Sequence, residues 1–197
     1  MDCWAVIPVK DAADGKSRLA GALDTAARAG LVRAMLARVH GAITSARNIA
    51  GVMVVGTGRN GLPGHLPLVG DPGGGLNAAL GAAMDAAKAR RAGRLVIVAG
   101  DLPMLTALDI ELLAAAPEGE IAIAPDRHGT GTNALSLPLP AAGGFSFAFG
   151  PDSFARHSAE ARRLGLRMEV IRSHGLAMDI DEPADLGDVA DLIGSPR

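Results

Sequence analysis

The sequence predicts an α/β fold: a mostly parallel, mixed sheet with helices on both faces, a Rossmann-like three-layer arrangement in one domain over residues 1–197. Three observations carry that expectation. Short apolar runs alternate with longer segments of helical periodicity, as in successive βαβ units. The length suits one domain, which buries roughly 70% of its unfolded surface and needs no covalent staple. Neither a repeat, nor a charge run, nor a long linker divides the chain.

The elements follow in order. Residues 4–9 are a short apolar run and give the first strand, with a polar loop over 10–18 behind it. Leu31, Val32, Met35, Leu36, Val39 and Ile43 recur at helical spacing and predict a helix over 25–46. A second strand spans 52–55, a Gly/Pro loop 56–67, and a very short third strand 68–69. Asp71-Pro72-Gly73-Gly74-Gly75 then opens an Ala-rich helix over 76–91. Residues 95–99 are the clearest central strand. Thr106 reads as the N-cap of a helix that Pro117 and Gly119 close. Residues 121–124 and 134–139 bracket a polar loop and read as neighbouring strands, 153–164 as a helix and 168–171 as a strand. A last helix to 192 starts at Asp181, with Pro183 in its first turn.

Composition narrows the function classes. Ala (38) and Gly (26) crowd the chain while aromatics are 3%, so the core is packed from small and aliphatic side chains. With few rings for stacking and a net charge of −2, a nucleic-acid partner is not expected. Cys3 stands alone, which excludes an internal disulfide and a cysteine-rich zinc site. The first apolar run is too short for a signal peptide and no stretch approaches about 18 apolar residues, so a cytoplasmic protein without a membrane partner is expected. Monomer and homodimer both stay open.

Two motifs tempt and fail. Gly56, Gly58 and Gly61 match the dinucleotide fingerprint, but Pro63, Gly64 and Pro67 block the helix that must follow it. Gly15-Lys16-Ser17 resembles the end of a P-loop, yet Lys10 stands where that loop needs its first glycine. A P-loop-like kinase is therefore the runner-up enzyme, and a non-catalytic nucleotide-sensing module the alternative of another class.

In open α/β sheets ligands bind beyond the carboxyl ends of strands, so the post-strand loops carry the chemistry. The first holds Lys10, Lys16, Ser17 and Arg18, enough positive charge to neutralise a polyphosphate, or simply a solvated basic loop. Asp101 ends the most apolar strand, where a Mg²⁺ ligand or an ordinary loop cap would stand. Asp179 and Asp181 alternate about Ile180, so an extended backbone points both carboxylates one way, although Asp181 competes as a helix cap. Gly73 to Gly75 let a base or ribose approach the backbone, and Asn77 offers donors and acceptors. The run Asp126 to Asn133 can bind a small phosphorylated acid through Arg127, hydroxyls and amides. Gly150-Pro151-Asp152-Ser153 opens a helix, whose N-terminus attracts anions; Ser153 as a plain cap is the competing reading.

The order of these segments resembles the guanylyltransferases of coenzyme F(420) biosynthesis, over nearly the whole chain. Lys16-Ser17-Arg18-Leu19, Gly75-Leu76-Asn77-Ala78-Ala79-Leu80, Gly100-Asp101-Leu102-Pro103, Asp126 to Leu135, Phe149 to Phe154 and Asp179-Ile180-Asp181 carry the likeness. The resemblance implies a nucleotide-diphospho-sugar-transferase-like fold and a Mg²⁺-dependent transfer of GMP from GTP. The acceptor would be phosphoenolpyruvate, 2-phospho-L-lactate or 3-phosphoglycerate, with pyrophosphate released. It implies Asp101, Asp179 and Asp181 as metal ligands and Thr132, Gly150 and Ser153 around the acid, where the loop's own chemistry also offers Arg127. By the same resemblance Lys16 and Arg18 would face phosphates, while on the residues' own chemistry Lys10, Gly74, Gly75 and Asn77 are expected to face the nucleotide. Gly100 and Asp14-Gly15 depart from the family, which commonly has Ala at the former and an apolar residue and Ala at the latter.

Overall fold

The computed structural model describes residues 2–10, 16–189 and 191. Seven strands form one sheet: β1 (Cys3–Val9), β2 (Gly51–Gly56), β3 (Leu68–Gly70), β4 (Arg94–Val98), β5 (Glu120–Pro125), β6 (Thr132–Pro138) and β7 (Arg167–Val170). Their order is β3-β2-β1-β4-β6-β5-β7. All pairings are parallel except those of β6, which runs against both β4 and β5. The predicted mixed sheet is therefore a parallel sheet with one reversed strand. That reversal makes β5 and β6 a hairpin, and it brings the loop 126–131 to the same end of the sheet as the carboxyl termini of β1 and β4.

Every residue of β4, in the middle of the order, is buried, as expected of a strand covered on both faces. Its side chains alternate between two cores. Val96 and Val98 join Ala5, Ile7, Val52 and Val54 on one side. Leu95 and Ile97 join Val6, Met53 and Val55 on the other. The first core is covered by α1 (Thr25–Ser45), α3 (Ala107–Ala114) and α5 (His174–Ala177), the second by α2 (Leu76–Ala89) and α4 (Ser153–Arg163). The caps follow the sequence: Asp24 accepts the Ala27 amide at 2.7 Å, and Thr106 forms a reciprocal capping box with Asp109.

Two segments differ from the sequence expectation. Ser17–Gly21 and Pro183–Val189 are 3-10 helices; the first was expected as loop up to Arg18 and the second as an α-helix. Both are short, and both are held from outside: Leu19, Leu31, Met35, Ile180 and Val189 bury together in a third, small core. That cluster positions what flanks it. Leu19 ties down Lys16 and Arg18, and Ile180, fully buried, fixes Asp179 and Asp181 on either side. The four-residue α5 was not expected either. Gly175 lets it press on the turn before α3, because a β-carbon there would lie 2.7 Å from the Met104 carbonyl.

Candidate active site

The loops at the carboxyl ends of β1 and β4, where strand order reverses, meet the segment after β7. Lys16, with a left-handed backbone (φ 57°), drives its ammonium between two carboxylates, 2.5 Å from Asp101 Oδ2 and 2.8 Å from Asp181 Oδ1. Its side chain is only 10% exposed. Burial works against the charge, but Asp101 and Asp181 outweigh it and hold the Lys16 pKa above its ordinary value. Arg18, largely exposed, lies 3.7 Å from Asp181 Oδ2. Asp179 accepts from Asn133 Nδ2 at 3.2 Å. Burial, aided by the charges of Asp101 and Asp181, raises the Asp179 pKa against that hydrogen bond. The Ile180 amide donates to the Asp101 carbonyl at 3.3 Å, which stitches the two acidic segments together. A pocket of about 360 Å³ opens here, lined by Lys10, Arg18, Leu76 and Gly100 as well as the charged trio.

The competing reading of Asp181 as a helix cap does not hold. It is Asp185 that reaches back, accepting the Asp181 and Glu182 amides at 2.9 and 2.8 Å. Asp185 also takes Arg127 in a 2.7 Å ion pair. The Arg127 guanidinium, helped by the two amides and opposed by burial, brings its carboxyl down to about 2. Arg127 therefore does not stand free for a substrate anion; it latches the 126–131 loop to the acidic segment. Asp185 carried no signal as a site residue because its role is to hold two others.

The second half of the site is built on α4 and the start of β6. Thr132, buried, lies 3.0 Å from His157 Nδ1, while His157 Nε2 accepts the Ala148 amide at 3.0 Å. Asn77 uses both ends of its amide on Phe149, donating to its carbonyl at 3.1 Å and accepting its N–H at 2.8 Å. Its polar groups, expected to face the nucleotide, instead fix the backbone next to Gly150. Gly150 (φ 123°) needs its glycine. Ser153 does not cap α4, since Asp152 holds the N-cap position and Ser153 is the first helical residue. The Phe154 amide donates to the Thr130 carbonyl at 3.0 Å, which packs the start of α4 on the 126–131 loop.

Gly74 and Gly75 have left-handed backbones leading into α2 (φ 101° and 80°), and Lys10 reaches the pocket rim. Gly100 is close-packed: the methyl an alanine would bring meets Leu36 Cδ2 at 2.6 Å, so Leu36 fills that space here. Asp14-Gly15 lies outside the described residues. The P-loop alternative fails on shape, because Lys16 precedes a 3-10 turn and not an α-helix, and its charge is paired with aspartates. Among the described residues no three metal-binding side chains converge as they stand. Lys16 separates two of the expected ligands and Asn133 holds the third.

His157, 1% exposed, has its pKa lowered to about 4 by burial, which outweighs the nearby Glu160 charge. An unfolded histidine titrates near ~6.5. Above that pH both states are neutral and the fold is fully stable with respect to this group. Between about pH 6.5 and 4 the unfolded chain takes the proton first, so stability falls with acid, by up to about 3 kcal/mol. Denaturant midpoints measured across that window are expected to slope downward toward pH 4, and less steeply in His157→Gln.

A sheet covered on both faces, with a basic loop and clustered aspartates at its switch point, is a setting in which a nucleotidyltransferase handles phosphates, and the comparisons put the chain in that class. A solved nucleotidyl transferase from Methanothermobacter thermautotrophicus shares the fold at TM-score 0.67 and 15% identity, covering 98% of this chain and 97% of that one. The chain belongs to the guanylyl transferase CofC-like family, whose model matches residues 3–194. It is 45% identical to the phosphoenolpyruvate guanylyltransferase of Sphaerobacter thermophilus, over 96% of this chain and 93% of the relative. It is 36% identical to the 2-phospho-L-lactate guanylyltransferase of M. thermautotrophicus, over 96% and 84%. No helix among the described residues is long and apolar enough to cross a membrane.

Proposed function

We propose that this enzyme transfers GMP from GTP to a small phosphorylated acid, phosphoenolpyruvate, 2-phospho-L-lactate or 3-phosphoglycerate, in coenzyme F(420) biosynthesis. The observation that carries the reading is the pairing of Lys16 with Asp101 and Asp181 at the end of the sheet where Thr132 and residues 150–153 at the start of α4 are also brought together. The first cluster handles phosphates and the second an acid, and a sensor has no need of both. An oxygen of the acid's phosphate forms a bond to the α-phosphorus of GTP while the bond to the bridging oxygen of the β-phosphate breaks. Pyrophosphate leaves with that electron pair. The attacking oxygen is already anionic, so no general base is required.

The oxygen donors of Asp101 and Asp181 already converge on one cation, and a hard divalent ion suits such a set. Asp101, Asp181 and Asp179 are thus the residues that would hold Mg²⁺, which when bound supplies charge neutralisation and alignment of the reacting phosphates. Lys16 and Arg18 would then turn to the leaving pyrophosphate, where developing negative charge rewards fixed cations. The Gly74–Gly75 turn and Lys10 line the route for the nucleotide. Arg127 contributes by latching, through Asp185, the acid side to the aspartate side.

The test is a panel: GTP with each acid in turn, with pyrophosphate read after conversion to phosphate. Acid-dependent release with one acid far ahead of the others is the expected result. Nucleotide binding without release under any acid would leave the sensor, and formation of a nucleoside diphosphate would point to a kinase.

A further inference from the structure

His157 sits outside the phosphate cluster, yet it touches both segments proposed to hold the acid. Its Nε2 lies 3.0 Å from the Ala148 nitrogen. A backbone amide can only donate, so Nε2 is unprotonated and the neutral ring carries its hydrogen on Nδ1. Nδ1–H in turn lies 3.0 Å from Thr132 Oγ1. A hydroxyl that accepts from this nitrogen cannot donate to it, so the Thr132 proton must go elsewhere. Thr132 is the first residue of β6, at the ligand-binding end of the sheet, next to the Asn133 that holds Asp179. Phe149 covers one flank of the ring, its ring centroid 4.7 Å away and edge-on, and Phe145 lies 5.7 Å off. The imidazole is thereby locked against a flip that would exchange the two nitrogens.

We infer that His157 is a positioning residue for the acid. Its Nδ1–H fixes Thr132 as an outward hydrogen-bond donor to an anionic oxygen of the substrate, and its Nε2 pins Ala148 ahead of Gly150. The inference rests on the acid-binding reading above and deepens it. A site that presents a fixed donor selects a ligand with a carboxylate or phosphate oxygen there, and discriminates against one that offers only a hydroxyl hydrogen or a methyl group.

Two half-mimics separate the roles. Asparagine places an N–H donor near Nδ1 and nothing near Nε2; glutamine places an acceptor near Nε2 and nothing near Nδ1. His157→Gln is expected to raise KM for the acid about tenfold with KM for GTP changed less than about twofold. His157→Asn, which keeps the donor, is expected to lose less than about threefold in acid KM. Thr132→Val should match His157→Gln, and the double variant should lose no more than either alone. An unchanged acid KM in His157→Gln, or additive losses in the double variant, overturns the role. Nitrogen-15 NMR of the wild-type ring needs no variant: an Nδ1–H signature is expected, and an Nε2–H tautomer overturns the inference even where His157→Gln does not fold. Wild-type enzyme that releases no pyrophosphate with any acid removes the parent reading and this assignment together. Normal wild-type turnover with an indifferent His157→Gln removes this one alone.

Discussion

Asp101→Asn is expected to cut acid-dependent pyrophosphate release from GTP by at least roughly 10²–10³-fold, the scale of losing one preorganised electrostatic group in a reacting site. Asp101 follows the fully buried strand β4 by three residues, and its carbonyl accepts the Ile180 amide at 3.3 Å, which holds it against the acidic segment. It takes one of the two short contacts of the Lys16 ammonium. Asparagine keeps the size and shape but not the charge, so it can hold neither the ammonium nor a divalent cation in the same way. The side chain is 30% exposed, which spares the fold a buried unpaired amide. Circular dichroism is therefore expected to be unchanged. Near-normal turnover in this variant would sink the assignment of the aspartate cluster to phosphate chemistry.

The sheet was largely legible because its strands are short apolar runs separated by turn residues. Residues 52–55 and 95–99 differ from β2 and β4 by a residue or so at each end, since apolar side chains on both faces leave little doubt about a central strand. The two 3-10 segments were not legible, and the reason is physical. Neither Ser17–Gly21 nor Pro183–Val189 forms through its own periodicity; each is shaped by Leu19, Ile180 and Val189 burying against α1. A contact between residues so far apart in sequence leaves no local signature.

The site divides in the same way. Lys16, Asp101 and Asp181 were readable from strand ends and from the resemblance, and they do meet. The residues that orient them were not. Asp185 acts by accepting two amides of the acidic segment and Asn133 by donating to Asp179, while Asn77 holds a backbone 72 positions away. Arg127, read as a ligand for the acid, is instead spent on Asp185. An arginine in a polar loop looks the same in sequence whether it awaits an anion or already has one.

Lys16→Met carries the second large effect, and it has two readouts of opposite sense. Removing the ammonium leaves Asp101 and Asp181 facing each other, with Asp179 nearby and already pushed toward protonation by burial and their charges. Without a divalent cation the variant is expected to lose about 1–3 kcal/mol; breaking a buried pair costs more, but Asp181 is 43% exposed and water screens its share. For a chain of 197 residues that corresponds to a Tm lower by roughly 2–10 °C. Added Mg²⁺ should restore most of the loss, and raise the Tm of the variant more than that of the wild type, because the competing cation is gone. Calorimetric titration should show tighter Mg²⁺ binding in Lys16→Met. Turnover moves the other way and is expected to fall by about 10²-fold or more, since the leaving pyrophosphate loses a cation. Tighter metal binding with lost catalysis is what a lysine produces when it occupies the aspartates at rest and serves the phosphates in the reaction. A variant whose Mg²⁺ affinity and Mg²⁺-dependent Tm shift both equal those of the wild type would show that Lys16 and the metal do not share these carboxylates.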